Sequence, residues 1–133
     1  MRLALVRIHA VDYCRLYSVG QPVIASDDVL VQVSQCGICG SDIGYISMGG
    51  LGMTQPMPLG HELAGTVAEV GDKVTHLSVG DRVVVNPMEG NNGIGNGGAE
   101  GGFAPYLLVR GAAASPDVAM KIPDSLSMEQ AAM

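Results

Sequence analysis

Val29-Leu30-Val31-Gln32-Val33-Ser34 decides the fold class. Val29, Val31 and Val33 alternate with Leu30, Gln32 and Ser34, and that period of two in branched residues marks a strand with one face turned to a core. Working toward the N-terminus, Leu3, Leu5 and Arg7 alternate with Ala4, Val6 and Ile8 in the same way. Toward the C-terminus, short runs at Leu63–Val70, Arg82–Val85, Tyr106–Val109 and Ala119–Ile122 are each bounded by Gly, Pro or Asp. Many short strands with turns between them predict a mainly β fold, a small barrel or sandwich.

Helical signals are few. Ser41-Asp42 predicts the cap of a short helix running through Ile46, and Ser127 followed three residues later by Gln130 is a capping-box pattern. The second helix is cut at Met133 with no stop signal, so the chain is expected to end inside an element, as a fragment would. The Gly-rich stretch Glu89–Gly102 offers almost no side chains to bury and is expected to be a mobile surface loop.

With 133 residues the chain holds one domain of the common size, roughly 100–150 residues. A 47% hydrophobic content with 15% charged residues can bury a core, and 19 Gly with 7 Pro stays below the roughly 25–30% that marks disorder. Seven Lys and Arg against 13 Asp and Glu give a net charge of −6, which disfavours nucleic acid and anionic membrane surfaces as partners. There is neither an apolar run of roughly 18 residues nor a signal-peptide core. A cytoplasmic location is expected, and the odd set Cys14, Cys36 and Cys39 reads as reduced thiols or metal ligands.

The chemistry is densest in Cys36-Gly37-Ile38-Cys39-Gly40-Ser41-Asp42 and in Gly60-His61-Glu62. Thiolate, imidazole and carboxylate suit a borderline-soft cation such as zinc, so Cys39, His61 and Glu62 form a candidate ligand set. Their separation is too long for a zinc finger, and the fold would have to bring the two segments together. The same residues also fit ordinary roles: Cys36 and Cys39 as small buried apolar groups, His61 bonded to a carbonyl, Glu62 as a solvated strand charge. Cys36-x-x-Cys39 lacks the βαβ setting of a thioredoxin-like site. Gly93-x-Gly95-x-x-Gly98 lacks the preceding strand and following helix of a dinucleotide fingerprint.

Cys39-Gly40-Ser41-Asp42, Leu59-Gly60-His61-Glu62-Leu63-Ala64-Gly65-Thr66-Val67, Val70-Gly71 and Val79-Gly80-Asp81-Arg82-Val83, in this order, resemble the N-terminal part of zinc-dependent medium-chain dehydrogenases. The resemblance covers essentially the whole chain. It implies that residues 1–133 are a GroES-like catalytic domain, a β-barrel with a few short helices. The Rossmann domain that binds NAD(P) in such enzymes is absent from the chain. Met48-Gly49-Gly50-Leu51-Gly52, Pro56-Met57-Pro58 and Val85-Asn86-Pro87 look most like the polyol branch, with its sorbitol, idonate and threonine-type dehydrogenases.

Carried over by residue, the resemblance implies that Cys39 and His61 bind a catalytic zinc and that Glu62 binds the metal or its water. Ser41 would begin a proton relay, Asp42 would orient His61, and Tyr45 would line the substrate pocket. Cys36 is expected to pack rather than ligate. The chain also departs from the family. Gly44 stands where many relatives have a relay histidine, and no cysteines occupy the place of the four-cysteine lobe, so no structural zinc is expected. The third protein ligand and the cofactor domain would both lie beyond Met133. The implied function is the zinc-binding part of an NAD(P)-dependent alcohol or polyol dehydrogenase acting on a small molecule, incomplete as this fragment and forming a homo-oligomer, with Met128 to Met133 at or near the contact. The other reading is a free-standing GroES-like binding or assembly module without catalysis.

Overall fold

Runs of branched and aliphatic residues lay down the three longest strands of the computed structural model, which describes residues 2–132. These are β1 (Arg2–Ala10), β3 (Val29–Gly37) and β5 (Glu62–Val70). Shorter strands are β2 (Tyr13–Gly20), β4 (Met57–Pro58), β6 (Arg82–Val85), β7 (Tyr106–Val109) and β8 (Ala119–Lys121). The helices are α1 (Gly40–Met48) and α2 (Met128–Ala131). Hydrogen bonding orders the strands as two sheets, β2-β1-β4 and β7-β3-β5-β6-β8. The mainly β class is as the sequence predicts, although among the described residues the ladder forms two sheets instead of one closed ring.

The five-stranded sheet carries the main core. Val29, Val31, Leu63, Val67, Val83, Leu107 and Val109 are buried in one cluster with Ile94. Each such side chain contributes roughly 1.5–3 kcal/mol relative to exposure, so this face dominates the stability of the chain. On β1 the buried positions change sides along the strand. Leu3 and Leu5 are buried at its start, whereas Ile8 joins Met57 and Leu59 in a second cluster against which Tyr45 and Ile46 of α1 pack.

Strands β2 and β4 are not apparent in the sequence pattern. β2 is an edge strand whose side chains are mostly exposed, so no alternation of burial marks it. It is held by a register that pairs Leu5 with Tyr17 and Arg7 with Arg15, and the Arg7 and Arg15 guanidinium carbons lie 5.5 and 5.2 Å from the Tyr17 ring centroid.

The Gly-rich stretch corrects the expectation of a mobile surface loop. A 3-10 turn at Glu89–Asn91 is exposed, but Asn92, Ile94, Gly95, Gly97, Gly101 and Gly102 are buried. Its backbone is tied by Ile94 N–H to Pro87 C=O at 3.0 Å and by Gly95 N–H to Glu100 C=O at 2.8 Å. What buries this segment is glycine backbone in close contact, a mode of packing that a count of apolar side chains does not register.

At the C-terminal end, Ser127 and Gln130 form the predicted reciprocal cap at 3.0 and 3.1 Å. Ala131 and Ala132 are buried with Ala64 of β5, and Met128 packs against them. Met128, expected at or near an intermolecular contact, is partly buried against this cluster, and Met133 lies outside the described residues. Among the described residues no helix is long and apolar enough to cross a membrane.

Candidate metal centre

The register of one strand pair closes the gap between the two chemical motifs. β3 and β5 run antiparallel with Cys36 opposite Leu63 and Gly37 opposite Glu62. The segment leaving β3 and the segment entering β5 therefore meet at the same end of the sheet. Cys39 sits two residues past that pair and His61 one residue before it. Cys39 Sγ, a ring nitrogen of His61 and a carboxylate oxygen of Glu62 all lie within 4.8 Å of one another, and all three residues are half-buried. One sulfur, one nitrogen and one oxygen at this spacing can hold a zinc-like cation and leave further positions for water or substrate.

Helix α1 begins at this point. Cys39 is its N-cap and Asp42 its third residue, so the helix starts and ends further out than the predicted Ser41–Ile46. Asp42 is 2% exposed, a position where a carboxylate needs partners. Its Oδ2 accepts the Cys39 N–H at 2.9 Å. Its Oδ1 lies 3.3 Å from His61 Nδ1, a contact short of good hydrogen-bond alignment, and neither atom has another partner. One carboxylate thus addresses both loops. This leaves His61 Nε2 on the side of Ser41, whose Oγ is 3.4 Å away and also donates to Cys39 Sγ at 3.2 Å.

Gly60 makes the turn into His61. Its φ is +102°, and a β-carbon there would come within 2.7 Å of Phe103 N and 3.0 Å of Cys36 Sγ. Cys36 packs against the main core, and burial, aided by the Asp42 charge, pushes its thiol pKa up to about 12. Tyr45 is half-buried against the Ile8 cluster, and its hydroxyl donates to Asn96 Oδ1 at 2.8 Å. A β-carbon at Gly44 would meet nothing within 4 Å. A cavity of about 340 Å³ lies elsewhere, between the β1–β2 hairpin and β7, and includes none of these residues.

The Asp42 bond to Cys39 and the contacts of Gly60 and Asn96 are not among the expectations from sequence. An acid at the third position of a helix was a usable signal for the first. The others join segments far apart in the chain, and nothing local announces them.

Comparison with known proteins gives the family of the chain. Residues 25–124 match the alcohol dehydrogenase GroES-like domain. Sorbitol dehydrogenase of Bombyx mori is 36% identical over 94% of this chain and 40% of its own length. (R,R)-butanediol dehydrogenase of Bacillus subtilis is 33% identical over 90% of this chain and 40% of its own. The crystal structure of 2R,3R-butanediol dehydrogenase from Bacillus subtilis superposes with a TM-score of 0.83 at 32% identity, over 98% of this chain and 43% of that one. A protein from Sinorhizobium meliloti described as a zinc-binding dehydrogenase, in a structure with NADP, gives a TM-score of 0.80 at 30% identity, covering 99% and 42%. The chain spans about two fifths of the length of these relatives. With the motifs, the fold and the family match in agreement, the chain belongs to the alcohol dehydrogenase GroES-like domain family of the zinc-dependent medium-chain dehydrogenases.

Proposed function

We propose that this chain is the zinc-holding catalytic domain of an NAD(P)-dependent dehydrogenase acting on a small polyol or diol. It would work in the cytoplasm and in a homo-oligomer. The observation that carries the reading is the closed constellation of Cys39, His61 and Glu62 with Asp42 behind it. The sorbitol and butanediol dehydrogenase relatives support the substrate class. Three free cysteines accord with a reducing compartment.

Cys39, His61 and Glu62 would hold the metal. Zinc supplies Lewis acidity at the substrate hydroxyl and lowers its pKa. Asp42 keeps His61 Nδ1 engaged, which leaves Nε2 as the coordinating atom. Ser41, in contact with both Cys39 Sγ and His61 Nε2, takes the substrate proton while releasing its own. Gly44 has no side chain to continue a relay, so that proton leaves to solvent. The nicotinamide that receives the hydride would come from a Rossmann domain outside this chain.

Zinc or cobalt(II) titration of the chain, beside Cys39→Ser and His61→Ala, tests the proposal. Both variants should lose most of the affinity, and cobalt(II) should show a thiolate charge-transfer band only when Cys39 is present. Equal affinity in the original chain and Cys39→Ser would remove Cys39 from the site.

A further inference from the structure

We propose that the segment Asn92–Phe103 is a positioning element of the metal centre, holding the Cys39 and His61 loops at a fixed separation through Gly95 on Gly60 and Asn96 on Tyr45. The inference rests on the metal reading above and concerns residues that take no part in coordination.

On the His61 side, backbone meets backbone. Gly60 C=O accepts Gly102 N–H at 2.8 Å, and Leu59 C=O accepts Phe103 N–H at 3.2 Å. Residues 59 and 103 are in turn bonded to Val6 of β1, at 3.1 Å each. The peptide before His61 is thus held in a ladder between β1 and the end of the Gly-rich segment. Gly95 lies so close over Gly60 that a β-carbon on it would overlap the Gly60 carbonyl. Any side chain at position 95 must displace that peptide or the segment itself.

On the Cys39 side the link is a side-chain bond. Asn96 Oδ1 accepts the Tyr45 hydroxyl at 2.8 Å, and Asn96 Nδ2 is fixed by Ile94 C=O at 3.2 Å. Tyr45 is one turn along α1 from Ser41, on the helix that Cys39 caps. The segment is anchored away from the centre as well. Ile94 is in the main core, and the buried Asn92 amide bonds Arg110 C=O at 2.8 Å and Arg110 N–H at 3.1 Å. It therefore bridges the sheet core, the helix and the His61 turn. Metal–ligand distances in well-formed sites lie within about 0.2 Å of their ordinary values. A brace between two ligand-bearing loops acts on that scale.

The test is cobalt(II) titration of the intact chain, of Gly95→Ala and of Asn96→Ala, with Gly44→Ala as a control and His61→Ala as the check on the site. Circular dichroism establishes that each variant is folded. Gly95→Ala should weaken cobalt(II) roughly 10–100-fold and alter its d–d spectrum, as the loss of ligand-orienting contacts does. Asn96→Ala should move both readouts in the same direction by less, and Gly44→Ala should move neither. Folded Gly95→Ala and Asn96→Ala with unchanged affinity and spectrum, while His61→Ala loses the thiolate band, would overturn the brace and leave the metal reading standing. If Gly95→Ala does not fold, Asn96→Ala decides alone, and an unchanged spectrum there overturns the proposal. If the original chain itself shows no thiolate band, the metal reading fails and the brace fails with it.

Discussion

Asp42 has no spare oxygen. One faces His61 Nδ1 and the other the Cys39 amide, inside a pocket that excludes water. Asp42→Asn can keep an oxygen on the Cys39 N–H but loses the charge that favours His61, so metal affinity should drop roughly 10–100-fold with the fold intact. Asp42→Ala leaves both partners unmet and should also destabilise the chain by about 1–3 kcal/mol, read from thermal or denaturant unfolding. Cys36 has the opposite character. Its thiol is held protonated by burial at neutral pH, its pKa being about 12. Cys36 is also outside the cluster of Cys39, His61 and Glu62, so Cys36→Ala should retain the cobalt thiolate band that Cys39→Ser loses. A thiol reagent at neutral pH should modify the exposed Cys14 well before Cys36; rapid labelling of Cys36 would contradict this.

At the scale of elements, the sequence was most legible where burial follows side-chain pattern. β6 and β7 are legible to the residue, and β3 and β5 to within a few residues, because branched side chains on one face report directly on the core. The residues of the candidate cluster stand out in the sequence for a different reason, since their types and order carry a family pattern. Edge strand β2 was not legible, because exposure erases alternation, and the buried Gly-rich segment was not, because its packing is made by backbone. That segment should resist proteolysis. A protease of broad specificity should cut first between β2 and β3, where Val23 is 87% exposed, and early cleavage within 92–102 would count against the packing described. Glu100 within the same segment gives it a pH dependence. Burial raises the carboxyl pKa, and the Arg110 guanidinium at 2.9 Å only partly offsets this. A raised acid binds more protons in the folded state, so its contribution favours folding below the ordinary carboxylate range and is lost as pH rises through the elevated pKa. The melting temperature of the chain relative to Glu100→Gln should accordingly fall as pH rises through that range. A rise would show that the Arg110 pair outweighs burial.

For the molecule as a whole, the centre lies at the surface with apolar neighbours left in water. Ile38 and Ile43, which flank Cys39 and Asp42 in sequence, are 76% and 61% exposed. Covering apolar area yields roughly 25 cal/mol per Å², and a stable interface needs about 1,200 Å² or more in total. Ile38 and Ile43 cover only part of such an area, and they are expected to contribute to self-association of the chain at high concentration. Sedimentation across a concentration series should show Ile38→Ser with Ile43→Ser shifting the equilibrium toward monomer; a chain that stays monomeric throughout would refute this. The β1–β2 hairpin points to a different outcome for a different surface. Among the described residues its outer strand is an open edge, yet the hairpin carries Arg2, Arg7 and Arg15 with Asp12 as its one acid. A second hairpin approaching that edge meets charge of its own sign, the defence by which natural edges resist fibril growth. Such a defence is only as long-ranged as the solvent permits, about 8–10 Å at moderate ionic strength and shorter in concentrated salt. Stocks kept in high salt are therefore the ones in which strand-to-strand fibres should first form.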